Sequence, residues 1–134
     1  MRICDAQTSG DDSTALAALI TSCIAQASLD HDEGVPFDDP PRRMIEENLW
    51  RAIRYGMTGE LIDLSEFPAV RVRSTRAALE ELVEWVLPVA EEIGAAPFLA
   101  IPSANASQRQ IARHEAGATL HEIYADEVLE PARV

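Results

Sequence analysis

Two prolines and a glycine bracket the stretch that most limits how this chain can fold. Pro40 and Pro41 stand where a missing backbone N–H does no harm, at the opening of a helix. Gly56 stands where a residue free to take the left-handed conformation closes one. Between them Ile45, Leu49, Ala52 and Ile53 recur at helical spacing as an apolar stripe. Beside the stripe run Asn48, Arg51 and Tyr55, three or four residues apart and so on one face. An amide, a guanidinium and a phenol together suit an anionic or planar ligand. A plainer reading fits the same residues: Glu47 and Arg51 are an i, i+4 pair, worth about 0.3–0.5 kcal/mol when solvated, and Trp50 is a natural core or interface filler.

The rest of the chain reads as helices around this one. Met1 to Gln7 alternates as a short strand with no obvious neighbour, and Thr8 to Asp12 is turn and cap chemistry. A helix then runs to about Ala27, with Leu16, Leu19, Ile20, Cys23 and Ile24 on its buried face. Leu29 to Asp39 is an acidic loop in which Asp30, Asp32 and Glu33 form a solvated run. Glu60 to Leu64 and Val70 to Arg73 make a small β-hairpin, which must pack on something to be stable. Ser74 or Thr75 caps a further helix carrying Leu79, Leu82, Val83, Val86, Ala90 and Ile93, bent rather than stopped by Pro88 and ended by Gly94. Ser103 to Ala116 is a more polar helix with Gln108-Arg109-Gln110 exposed, closed by Gly117. Thr119 and Glu122 have the spacing of a capping box for a last helix that stops at Pro131. The expectation is a mainly α unit of about five helices, one N-terminal strand and one hairpin, forming a single unit over residues 1–134.

At 134 residues there is enough chain for one core, burying roughly two-thirds of the unfolded surface. The net charge of -12, from 23 acidic and 11 basic residues, disfavours bare nucleic acid and anionic membrane as partners. Every one of those cations is Arg, which fits a high-GC coding sequence or adaptation to salt that screens carboxylate repulsion. Cys4 and Cys23 have neither metal-ligand spacing nor a disulfide framework, and read as buried free thiols. No apolar run reaches transmembrane length and the first residues lack a signal-peptide pattern, so a cytoplasmic location is expected.

Phosphate-cradling glycine loops, zinc spacings and nucleophile elbows are absent from the sequence. Glycine 117 interrupts the helix between His114 and His121, which argues against a metal pair and for solvent-facing or capping roles. What stands out is Glu47-Asn48-Leu49-Trp50-Arg51-Ala52-Ile53-Arg54-Tyr55-Gly56 followed by Glu60-Leu61-Ile62-Asp63. This resembles the E-N-x-W-x-A-x-R-x-G…E-L-I-D run of the carboxylate–amine ligases, the type 2 glutamate–cysteine ligases. Arg2-Ile3-Cys4-Asp5 is similar to that family's R-x-x-D strand. Downstream, Leu87-Pro88-Val89-Ala90-Glu91-Glu92-Ile93-Gly94 and Ser107-Gln108-Arg109-Gln110 continue the likeness.

The resemblance implies the C-terminal part of an α+β, glutamine-synthetase-like ligase fold. It implies ATP and magnesium as cofactors and amino acids as substrates. The γ-carboxylate of glutamate would become an acyl phosphate, which the amine of cysteine attacks to give γ-glutamylcysteine. By position in the motif, Arg2 and Asp5 would lie on a strand of the active-site sheet, and Asn48, Arg51 and Arg54 would face it from the helix, binding substrate or nucleotide; no metal ligand is assigned. The family's upstream antiparallel sheet, which supplies most of the ATP and metal carboxylates, has no counterpart in these residues. The partner implied is that sheet, in cis or as a separate chain. The competing expectation is a helical binding or regulatory protein that keeps the ligase's tail without its chemistry.

Overall fold

The computed structural model describes residues 9–36, 39–65 and 71–129. Five helices and one two-stranded antiparallel sheet are built from them, in the order α1 (Gly10–Asp32), α2 (Arg42–Tyr55), β1 (Glu60–Asp63), β2 (Arg71–Ser74), α3 (Thr75–Glu92), α4 (Ala106–Glu115) and α5 (Leu120–Leu129). Short 3-10 turns follow α2 (Gly56–Thr58) and α3 (Ala96–Phe98). The expected mainly helical unit with a hairpin is therefore present. The expected strand over Met1 to Gln7 lies outside the described residues.

Four of the five helix starts carry a side chain that satisfies an otherwise orphaned N–H, and α2 opens on Pro41 without one. Ser9 Oγ accepts from the Asp12 N–H at 3.4 Å and opens α1. Ser74 Oγ accepts from the Ala77 N–H at 3.1 Å, so β2 passes directly into α3. Thr119 and Glu122 form the expected reciprocal box: the Thr119 N–H donates to Glu122 Oε2 at 2.8 Å, and the Glu122 N–H donates to Thr119 Oγ1 at 3.3 Å. That arrangement also holds the Glu122 carboxyl below the ordinary range, chiefly through the Thr119 backbone N–H.

Helix α1 runs past Ala27 to Asp32, so the acidic loop expected from Leu29 is in part helix. Nothing between Ala27 and Asp32 breaks a helix, and the turn comes only at Gly34, whose φ of 72° suits glycine. Asp30 also has partners rather than water alone. Its carboxylate accepts from Gln26 Nε2 at 2.7 Å and from Trp85 Nε1 on α3 at 3.2 Å.

The core lies between α1 and α3, which pack along each other. Its buried residues there are Ala18 and Ser22 on α1 and Val86, Val89 and Ala90 on α3. Ser22, fully buried, returns its hydroxyl to the Ala18 carbonyl at 2.8 Å, which satisfies it locally. Small residues on this seam let the helices approach closely. Two expectations for α1 change: Ile24 is exposed, and Cys23 is half-buried rather than buried. Burial still pushes the Cys23 thiol above its ordinary value. Helix α3 continues through Pro88, which sits on its exposed side.

The hairpin pairs Glu60 with Ser74, Leu61 with Arg73, Ile62 with Val72 and Asp63 with Arg71. It packs between α2 and α3. None of the helices built from the described residues is long and apolar enough to cross a membrane.

Removal of the Ser74 cap by Ser74→Ala should lower stability by about 1 kcal/mol. Ser107→Ala, in the exposed first turn of α4, should leave it within about 0.5 kcal/mol of the wild type. Urea denaturation followed by helical circular dichroism separates the two.

Candidate functional site

Helix α2 carries the residues singled out by sequence, and the hairpin is what it packs on. The junction is made by Asn48. Its Nδ2 donates to the Ile62 carbonyl at 2.8 Å, and its Oδ1 accepts from the Ile62 N–H at 2.7 Å. A side-chain amide thus pairs with one residue of β1 as a neighbouring strand would, through one donor and one acceptor. Asn48 is half-buried there, so both Ile62 groups depend on it.

Arg51, one turn on, donates from Nε to Glu47 Oε1 at 2.8 Å, with both side chains partly open to solvent. Arg54 is exposed, and among the described residues its guanidinium has no hydrogen-bond or ion-pair partner. It sits in the last turn of α2, where a cation also complements the helix dipole. The structure therefore places Asn48 on the hairpin, Arg51 on its own helix and Arg54 in solvent. Arg2 and Asp5 lie outside the described residues.

The apolar stripe of α2 is largely uncovered. Met44 is buried, but Ile45, Leu49 and Ile53 are exposed, Ile53 at 76% and neighbouring Trp50 at 53%. Trp50 meets Tyr55 edge to face, with ring centroids 5.7 Å apart.

At the C-terminal end of α2, Gln108 of α4 holds the 3-10 turn. Its Oε1 accepts from the Met57 N–H at 3.3 Å and from the Asn105 N–H at 3.1 Å. Its Nε2 donates to the Tyr55 carbonyl and to Thr58 Oγ1, both at 3.3 Å. Gln108 also closes a capping box with Asn105, whose Oδ1 accepts from the Gln108 N–H at 2.8 Å. The expectation that Gln108-Arg109-Gln110 is the exposed part of this helix is therefore corrected: all three are half-buried. The helix itself begins at Ala106 rather than Ser103 because Asn105, not Ser103, is its cap. The N-x-x-Q spacing of a capping box was the available signal.

Gly56 makes this contact possible. Its φ is 54°, and a Cβ there would stand 2.5 Å from Asn105 Nδ2 and 3.0 Å from Gln108 Oε1. The glycine is needed for both backbone conformation and close approach.

The end of the E-L-I-D run is an electrostatic knot. Asp63 Oδ1 accepts from Ser65 Oγ at 2.6 Å, from the Ser65 N–H at 3.0 Å and from Arg73 Nη2 at 2.9 Å. Arg73 also pairs with Glu81 on α3, which ties the hairpin to that helix. The Ser65 hydroxyl is the main cause holding the Asp63 carboxyl below the ordinary range; the Ser65 N–H and Arg73 add to it. Asp63 and Arg73 are diagonal neighbours in the register, so this pair becomes visible once the register is known.

With this geometry in place, comparison with known proteins is direct. The model of glutamate–cysteine ligase family 2 matches residues 1–116, and the chain belongs to that family. A protein of Sorangium cellulosum named "Putative glutamate–cysteine ligase 2" is 34% identical over 131 residues, covering 94% of this chain and 34% of the relative. One of the same name from Solibacter usitatus is 34% identical over 122 residues, covering 87% of this chain and 31% of the relative. A Rubrobacter xylanophilus relative, numbered 2-3 under that name, is 42% identical over 94 residues, 70% of this chain and 23% of its own length. The chain thus spans between about a quarter and about a third of the length of these relatives. No solved structure matches the chain.

Asn48→Ala should cost about 1–3 kcal/mol, because both Ile62 groups lose their partner in a half-buried place. Asn48→Asp should also destabilise, since it faces a carbonyl with an acceptor in place of a donor; chemical denaturation of both variants is the check. Asp63 contributes stability that is complete above the ordinary carboxylate pKa of about 3.9 and is lost as pH falls through its lower folded value. An acid titration followed by circular dichroism should therefore be shallower for Asp63→Asn than for the wild type.

Proposed function

We propose that this chain is the helical part of an ATP-dependent glutamate–cysteine ligase. In that reaction the γ-phosphoryl group of ATP passes to the γ-carboxylate of glutamate. The amine of cysteine then displaces phosphate from the acyl phosphate, and γ-glutamylcysteine, ADP and phosphate leave. Membership of the ligase family over residues 1–116 is the observation that carries the reading. A cytoplasmic location goes with it.

Two features support the view that this part works with more protein than these residues. The chain matches relatives about three times its length. The stripe of Ile45, Leu49 and Ile53, with Trp50 beside it, is the kind of apolar surface that a second layer covers. The proposed partner is the remaining sheet of the ligase, in cis or as a separate chain.

Magnesium and ATP enter by the same reading. Among the described residues no three His, Cys, Asp or Glu side chains are grouped so as to hold a metal ion. The described residues alone therefore do not fit a triphosphate-bound magnesium, and its carboxylate ligands would come from outside them. What these residues can offer is guanidinium. In this reading Arg54 holds a carboxylate or phosphate through its planar donors, while Arg51 stays on Glu47.

The 134-residue chain on its own should show no glutamate-dependent phosphate release above a buffer control; release by this chain alone would overturn the partnership. In a complete ligase containing this segment, Arg54→Lys should lower turnover tenfold or more, about 1.4 kcal/mol of transition-state stabilisation. Arg51→Lys should stay near wild type, since an i, i+4 pair worth about 0.3–0.5 kcal/mol accepts either cation. Wild-type kinetics for Arg54→Lys with folding intact would reduce α2 to scaffold and favour a tail retained without its chemistry.

A further inference from the structure

A cavity of about 340 Å³ lies between α1, α3 and the segment leading into α4. Its body is apolar, formed by Leu16 and Leu19 of α1, Leu79 of α3 and Pro102. Its lining is charged on the α1–α4 side, where Asp12 pairs with Arg109. None of the residues that tie α2 to the hairpin lines it.

Size and chemistry together narrow the occupant. The volume is at the lower end of small-molecule sites, which run from about 300 to 1,000 Å³, so a single small metabolite fits and a nucleotide does not. The apolar walls call for a hydrocarbon side chain. Arg109 is pre-aimed: Nη1 donates to the Ala104 carbonyl at 2.8 Å and Nη2 pairs with Asp12. Its remaining guanidinium N–H donors have no partner among the described residues, and these suit a carboxylate. A bare carboxylate would meet repulsion, because Asp11 and Asp12 both line the cavity and outnumber the single guanidinium. A ligand bringing its own cation next to its carboxylate removes that conflict. It adds one charge-assisted contact to each member of the existing half-exposed ion pair.

We propose that this cavity binds a free α-amino acid with an aliphatic side chain, its carboxylate on Arg109, its ammonium on Asp12 and its side chain among Leu16, Leu19 and Leu79. The assignment does not depend on the ligase reading. Binding would bridge α1 to α4, elements that the ion pair already links across 97 positions of sequence.

The test is titration of the 134-residue chain with L-leucine, followed by calorimetry and by amide shifts of residues lining the cavity. Saturable binding is expected. The deaminated analogue 4-methylpentanoate and the decarboxylated analogue 3-methylbutylamine should each bind at least about tenfold more weakly, since each leaves one charge of the pair unmet. Arg109→Gln should weaken leucine by a similar factor. Ala15→Phe, which fills the cavity and keeps the ion pair, should do the same and decides the matter if Arg109→Gln fails to fold. Absence of saturable binding overturns the proposal, as does equal binding of either analogue, or wild-type affinity in a folded Ala15→Phe. Tighter binding of L-glutamate or L-cysteine than of L-leucine also overturns it, and would make the cavity a subsite of the ligase reaction instead.

Discussion

Two side-chain amides, Asn48 and Gln108, fix α2 to the rest of the described structure. Where α1 and α3 share buried side chains, α2 buries only Met44 and rests chiefly on β1 and the turn that follows it. Asn48 supplies that attachment with two hydrogen bonds to Ile62, and Gln108 supplies a second one through the turn at Gly56. Polar contacts of this kind fix position and register while contributing little burial. They hold the helix at a defined angle and leave its apolar stripe outward. The hairpin, in turn, is held to α3 through Arg73 and Glu81. Orientation thus passes from the α1–α3 seam through the hairpin to α2 by charge and hydrogen bonds.

Much of the architecture was legible because it is written locally. Proline before α2 and glycine after it, serine before α3, and the threonine–glutamate box before α5 act within four residues, and the structure uses each at the expected place. The hairpin was equally readable, its first strand from its shortness and its second from alternation. Helix α1 outruns its expected end because an acidic run suits a solvated helix face as well as a loop. Its anchor, Trp85 on Asp30, spans 55 positions and leaves no local mark.

The same distinction explains the candidate site. Spacing singled out Asn48, Arg51 and Tyr55 as one face, and the family motif added Arg54; Arg51 meets Glu47 on its own helix, whereas what Asn48 touches depends on a strand further along the chain. Asn48 finds its partner 14 residues away, and Gln108 finds Met57 across 51. Spacing on one helix cannot report a pairing that only the fold creates. Family motifs survived this limit because the decapeptide and E-L-I-D form the two halves of one contact, α2 on β1.

Trp50 gives the uncovered stripe a spectroscopic consequence. With about half of its surface in water, its indole should emit toward the red. Covering the stripe would desolvate that ring and move its emission toward the blue. Trp85, tied to Asp30 at the far seam, would stay as it is and serve as an internal reference. The chain therefore carries its own fluorescent indicator of whether that stripe is in water, needing no label.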